Sequence, residues 1–123
     1  MTYLTDRKRA TGAGSAKTGT GHHWGMTVTA ALMLVLVPLF IFTFGPMLGE
    51  PRAEVIGYYS QPFPAIVAAL TIIFGMVHFK NGVQTAIEDY AHGLMRKVLI
   101  VVMIGVSYGI MAVGLYGLAR IAF

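Results

Sequence analysis

The chain has 123 residues, of which 56% are hydrophobic and 11% charged, and its mean hydropathy is +0.70. A soluble domain carries about 25% charged residues and cannot hide this much apolar surface in one small core, so the composition points to a membrane protein. The net charge of +4 sits beside apolar runs and forms no stripe, which argues against nucleic acid, and the absence of cysteine excludes disulfides and thiolate chemistry.

Residues 1–25 read as a polar, basic arm rich in Gly, Ser, Thr and Ala, lying along a partner or disordered. It is not expected to be a secretory signal, because the first apolar run begins only near Met26 and no small-residue cleavage site follows. His22, His23 and Trp24 close the arm, and a Trp just before an apolar run is an interfacial anchor.

Residues 26–48 are the first predicted span, uncharged and longer than the roughly 20 residues that cross a bilayer core. Pro38 is expected to kink it, and Gly45-Pro46 to mark its end. Residues 49–61 form an outer link with Glu50, Arg52 and Glu54, and Tyr58 and Tyr59 fit an aromatic belt there.

Residues 62–89 are the second predicted span, opened by Pro62 and Pro64 in a first helical turn. His78 falls near its middle, and Asp89-Tyr90 emerges at the far surface. At about 100° per residue, His78 and Asp89 return to nearly the same face, separated by roughly 16 Å of rise. Gly75 and Gly82 border His78 on that face, so empty space is expected beside the imidazole. Lys80 points the other way and can snorkel.

Residues 90–97 form an inner link with Gly93, Arg96 and Lys97, and residues 98–121 are the third span. Gly105, Gly109, Gly114 and Gly117 offer that span small-residue surface for close helix packing. Arg7, Lys8, Arg9, Lys17, Arg96 and Lys97 outweigh Arg52 and Arg120, so the N-terminus and second link are expected inside and the C-terminus outside. The expected fold is an all-α membrane protein of three transmembrane helices, part of a heteromeric bundle.

A histidine in a span is costly and usually functional. His78 has three readings: a plain helix–helix hydrogen bond, a proton or substrate path with Asp89, or an axial ligand of haem. On the haem reading Gly75 and Gly82 clear the surface for a flat macrocycle. His22, His23 and His92 all fall at the inner surface, so a second axial histidine must then come from another subunit. Asp89 and Tyr90 are either an interfacial acid and phenol or a site for a polar head group arriving from the lipid, with Tyr90 donating to a quinone carbonyl. Glu88 is expected to be solvated, while His92 and Arg96 are either plain interfacial residues or contribute to charge or proton supply. The alternative function is a small membrane transport or assembly subunit with a His78/Asp89 proton path.

The segment from Gly75 to Tyr90, with His78 eleven positions before Asp89-Tyr90, resembles the hydrophobic membrane anchor (D subunit) of succinate dehydrogenase in its haem b form. The polar arm with its histidines, the run Ile87-Glu88-Asp89-Tyr90-Ala91-His92-Gly93 and the Arg96-Lys97 opening of the third span resemble alphaproteobacterial members in particular. The resemblance implies a non-catalytic anchor of an oxidoreductase complex in the bacterial inner membrane. It implies His78 as the haem b ligand opposite one from the cytochrome b (C) subunit, and Tyr90 with Asp89 at a ubiquinone site beside the iron–sulfur (B) subunit. Succinate oxidation would belong to the flavoprotein (A) subunit. It also implies a histidine of the arm close to the haem, for which His23 is the candidate beside His22. The related fumarate reductase anchor is a further alternative.

Overall fold

The computed structural model describes residues 3, 5–12, 14 and 19–123. Part of the expected arm, Lys17 included, lies outside the described residues. Among the described residues all regular structure is helical: α1 (Asp6–Thr11), α2 (Gly21–Phe44), a 3-10 turn (Gly45–Met47), α3 (Arg52–Tyr59), α4 (Pro62–Tyr90) and α5 (Gly93–Ala122).

The short α1 is capped by Thr5, whose hydroxyl accepts from the Lys8 amide at 3.3 Å, and Asp6 in its first turn complements the helix dipole. The next helix, α2, starts ahead of the apolar run. His22, His23 and Trp24 are therefore helical residues and not the end of an arm. Nothing between Gly21 and Met26 breaks a helix, and a proline-free lead lets the backbone ladder run on. Helix α2 also continues through Pro38, which removes one ladder hydrogen bond without ending it. The outer link is not wholly irregular: α3 occupies most of it, with Glu54 in its first turn.

Helix α4 opens on Pro62, whose missing N–H costs nothing in a first turn. It runs unbroken past Lys80, Gln84 and Glu88 to Tyr90, so one element carries both His78 and Asp89-Tyr90. Only Ala91 and His92 separate it from α5. So sharp a reversal needs the left-handed backbone at Gly93, φ +62°. Arg96 and Lys97, expected in a link, stand in the first turns of α5.

Helices α2, α4 and α5 are each long and apolar enough to cross a membrane. Helix α4 is the central one, packed against α2 on one side and α5 on the other, while the small α3 rests on α4 and α5. Among the described residues the buried apolar core is small: Leu36, Tyr59, Val67 and Ala68. Large side chains such as Phe42, Val101, Val113 and Tyr116 stay exposed, as suits surfaces that meet lipid or partner helices. The glycines of α5 divide in the same way. A Cβ at Gly114 would meet Ile72 of α4 at 3.5 Å, whereas Gly105 and Gly109 have nothing within 4 Å.

Candidate functional site

The seam between α2 and α4 is built from small and flexible residues around one polar pair. Helix α4 presents Gly75, His78 and Gly82, which are neighbours on one face at spacings of three and four. Helix α2 presents Met33, Thr29 and Met26 in the opposite chain direction. A Cβ at Gly75 would lie 3.6 Å from the Met33 methyl, and one at Gly82 would lie 3.9 Å from the Met26 methyl. Between them the Thr29 hydroxyl lies 3.0 Å from Nδ1 of His78.

The two glycines meet side chains of α2 within this chain. The space beside them is not empty. It holds the ends of two α2 methionines, side chains whose unbranched thioethers fill irregular gaps. In this chain Gly75 and Gly82 face those methionine ends on either side of the Thr29–His78 contact.

His78 itself is half-buried, beyond the middle of α4. Thr29 is 7% exposed. Its hydroxyl also lies 2.9 Å from the Gly25 carbonyl and 3.1 Å from the Met26 carbonyl of its own helix. Such back-bonding satisfies a hydroxyl inside an apolar helix. The second ring nitrogen of His78, Nε2, takes part in no hydrogen bond among the described residues. The donor set thus fits a metal-centred group needing a single imidazole from this chain. Among the described residues no group of three or more His, Asp or Glu side chains is placed to hold a metal ion by itself.

The histidines at the start of α2 separate by register. His22 stands seven residues before Thr29, about two helical turns, and so shares the face of Met26, Thr29 and Met33. His23 is turned away from it by about 100°. Both are exposed, and the His23 carbonyl accepts from the Thr27 hydroxyl at 3.0 Å.

At the far end of α4, Asp89 is exposed and Tyr90 is 87% exposed as the last helical residue. Neither has a side-chain hydrogen bond or ion pair among the described residues, so both are open to a ligand or a partner chain. Glu88 differs from its neighbour. It accepts from the Gln84 amide at 3.0 Å and faces the Arg96 guanidinium at 3.8 Å. Arg96 and Glu88 thus bridge the turn between α4 and α5, where the sequence reading had a solvated acid and an interfacial base. An ion pair this exposed is worth about 0–1 kcal/mol. It steadies the corner that carries Tyr90 without engaging Asp89.

Thr29 is the participant that sequence reasoning did not assign, and Arg96 the one whose partner it did not foresee. The trace of Thr29 in the sequence is one of three threonines, with Thr27 and Thr43, in an otherwise apolar run, and it lies seven residues from His22. Thr29 and His78 are 49 positions apart, so nothing local links them.

Over residues 1–116 the chain matches the family described as succinate dehydrogenase/fumarate reductase transmembrane subunit. It is similar to the succinate dehydrogenase hydrophobic membrane anchor subunit of Paracoccus denitrificans, 42% identical over 120 residues, or 98% of this chain and 93% of that protein. It is also similar to the succinate dehydrogenase hydrophobic membrane anchor subunit of Rickettsia bellii (strain RML369-C). There the identity is 32% over 107 residues, covering 82% of this chain and 83% of the relative. No solved structure matches it significantly.

Proposed function

We propose a role from one premise: the chain belongs to the family of succinate dehydrogenase and fumarate reductase transmembrane subunits. It is a multi-pass protein of the bacterial inner membrane, a succinate dehydrogenase membrane anchor that works with partner subunits of that enzyme. Within the complex, His78 supplies one axial ligand to a haem b shared with the cytochrome b (C) subunit. Tyr90 and Asp89 form part of a ubiquinone site beside the iron–sulfur (B) subunit, and the flavoprotein (A) subunit oxidises succinate.

The observation that carries this reading is the state of His78. It is the one histidine well inside a span, with Nδ1 engaged by Thr29 and Nε2 unengaged. A haem bound there supplies a one-electron redox centre within the membrane. The chain's own part is to hold an imidazole in a fixed orientation on the central helix. His22, which shares the Thr29 face, replaces His23 as the arm histidine nearest that group. Gly75 and Gly82 act through helix packing.

Quinone reduction to quinol needs two electrons and two protons. The electrons come from the partner subunits. Tyr90 donates its phenolic hydrogen to a quinone carbonyl, which favours charge building up on that oxygen. Asp89, one residue away and open to water, relays protons from the aqueous side. The excess of Arg and Lys in the N-terminal arm and at the start of α5 supports an inner-face location for this end of α4. Roughly 16 Å of helix separates His78 from Asp89, which suits two redox-linked sites and not one cluster.

The test is a reduced-minus-oxidised spectrum of the purified complex. A b-type haem is expected, with His78→Ala perturbing or abolishing it; an intact wild-type complex without haem would sink the ligand role. Tyr90→Phe is expected to slow quinone reduction while succinate oxidation by an artificial acceptor survives. Unchanged quinone turnover would count against Tyr90.

A further inference from the structure

Resting on the axial-ligand reading of His78, we infer that Thr29 is a positioning residue for that ligand: its hydroxyl fixes the proton on Nδ1 and presents Nε2 as the ligating lone pair. The hydroxyl has a single hydrogen to give. Two carbonyls of its own helix compete for it, Gly25 at 2.9 Å and Met26 at 3.1 Å, both along the direction a helical threonine takes. With that hydrogen on a carbonyl, the oxygen, 3.0 Å from His78 Nδ1, has only lone pairs to offer the ring. The imidazole must then donate, so Nδ1 carries the proton and Nε2 keeps its lone pair. The opposite tautomer would need that hydrogen turned from the carbonyls to Nδ1, and it would leave Nε2 protonated and unable to ligate.

Three consequences follow from the same bond. It stops rotation of the ring about its Cβ–Cγ axis, and so sets the plane of the imidazole. It removes the entropy cost of choosing a tautomer when a metal binds. It also makes the ring a stronger electron donor, since an acceptor on the outer N–H raises ligand basicity. A more basic imidazole favours the ferric over the ferrous state, so Thr29 lowers the reduction potential of the bound iron. The flanking contacts of Met33 on Gly75 and Met26 on Gly82 hold the two helices in the register this bond requires.

The experiment uses the whole purified complex with Thr29→Val, which keeps the shape and removes the acceptor, and Thr29→Ser, which restores it. Haem content, haem midpoint potential and the low-temperature EPR g values of the ferric haem are measured, with succinate oxidation by an artificial acceptor as the assembly control. Thr29→Val is expected to raise the potential and shift the g values as the ring plane relaxes, and Thr29→Ser to return both to wild type. A valine variant with haem, wild-type potential and wild-type g values would overturn the inference while leaving His78 as ligand. Loss of the ligand role itself shows separately, as a wild-type spectrum in His78→Ala. Should the valine complex not assemble, pulsed EPR of the wild type decides. A quadrupole coupling of the remote imidazole nitrogen typical of a hydrogen-bonded N–H supports the inference, and one typical of a free N–H overturns it.

Discussion

If Gly75 serves the approach of α2 and not a flat cofactor, a graded substitution series at that position has a definite outcome. A Cβ at Gly75 would lie 3.6 Å from Cε and 3.9 Å from Sδ of Met33, which is ordinary contact with the mobile end of a flexible side chain. Gly75→Ala is therefore expected to fit. It removes the entropic cost of a glycine inside a helix, worth about 0.5–1 kcal/mol in its favour, and it leaves the haem spectrum unchanged. Gly75→Leu adds three more carbons to a seam that already holds a methionine. Overpacking of this kind costs about 1–3 kcal/mol. Membrane complexes unfold irreversibly, so the readout is the half-life of the purified complex in detergent at a fixed temperature. If the cost falls wholly on the unfolding barrier, the half-life shortens by about 5- to 150-fold. Met33→Ala opens room on the other side, so the double variant Gly75→Leu/Met33→Ala should recover much of the loss, with a coupling of about 0.5–3 kcal/mol. Equal sensitivity of Gly75→Leu with and without Met33, or a changed haem spectrum in Gly75→Ala, would refute the reasoning.

Two further outcomes follow from the corners of the fold. Gly93 turns the chain between α4 and α5 at φ +62°, so Gly93→Ala is expected to cost about 1–2 kcal/mol through its Cβ, and Gly93→Asn less; assembled complex per membrane protein reads the difference. At the opposite end, Tyr59 is 5% exposed and its hydroxyl has no hydrogen-bond partner among the described residues. Tyr59→Phe is expected to leave the thermal midpoint unchanged or raise it, and a clear drop would place a partner group against that hydroxyl. Burial, and secondarily the charge of Tyr58, push the Tyr59 phenol above its ordinary value of 10.0. The folded state then keeps a proton that the unfolded chain releases, so this contribution is complete below pH about 10 and is lost as pH rises beyond it. The phenylalanine variant should lack that component of alkaline sensitivity.

The three apolar helices were legible in the sequence because a membrane span is a local property. About 20 apolar residues in a row suffice to specify one, whatever surrounds them. The placement of His78 and Asp89 on one face of α4 was local in the same sense, since it depends only on helical period. The extension of α2 back to Gly21 and the helix in the outer link were not legible from hydropathy. Both are polar stretches whose helicity owes nothing to an apolar run.

What occupies a helix face is a different kind of question. The sequence by itself determined that His78 lies between two glycines, and that something small must stand there. Only the tertiary structure decided that this something is α2, with Met33 and Met26 against the glycines and Thr29 against the imidazole. It likewise decided that Arg96 faces Glu88 while Asp89 stays open, and that Gly114 packs inside the chain where Gly105 and Gly109 do not. The contacts between helices distant in sequence share one physical reason. Periodicity tells which residues of one helix are neighbours, but the register between two antiparallel helices is set jointly by side chains some fifty positions apart, and no local pattern encodes that sum.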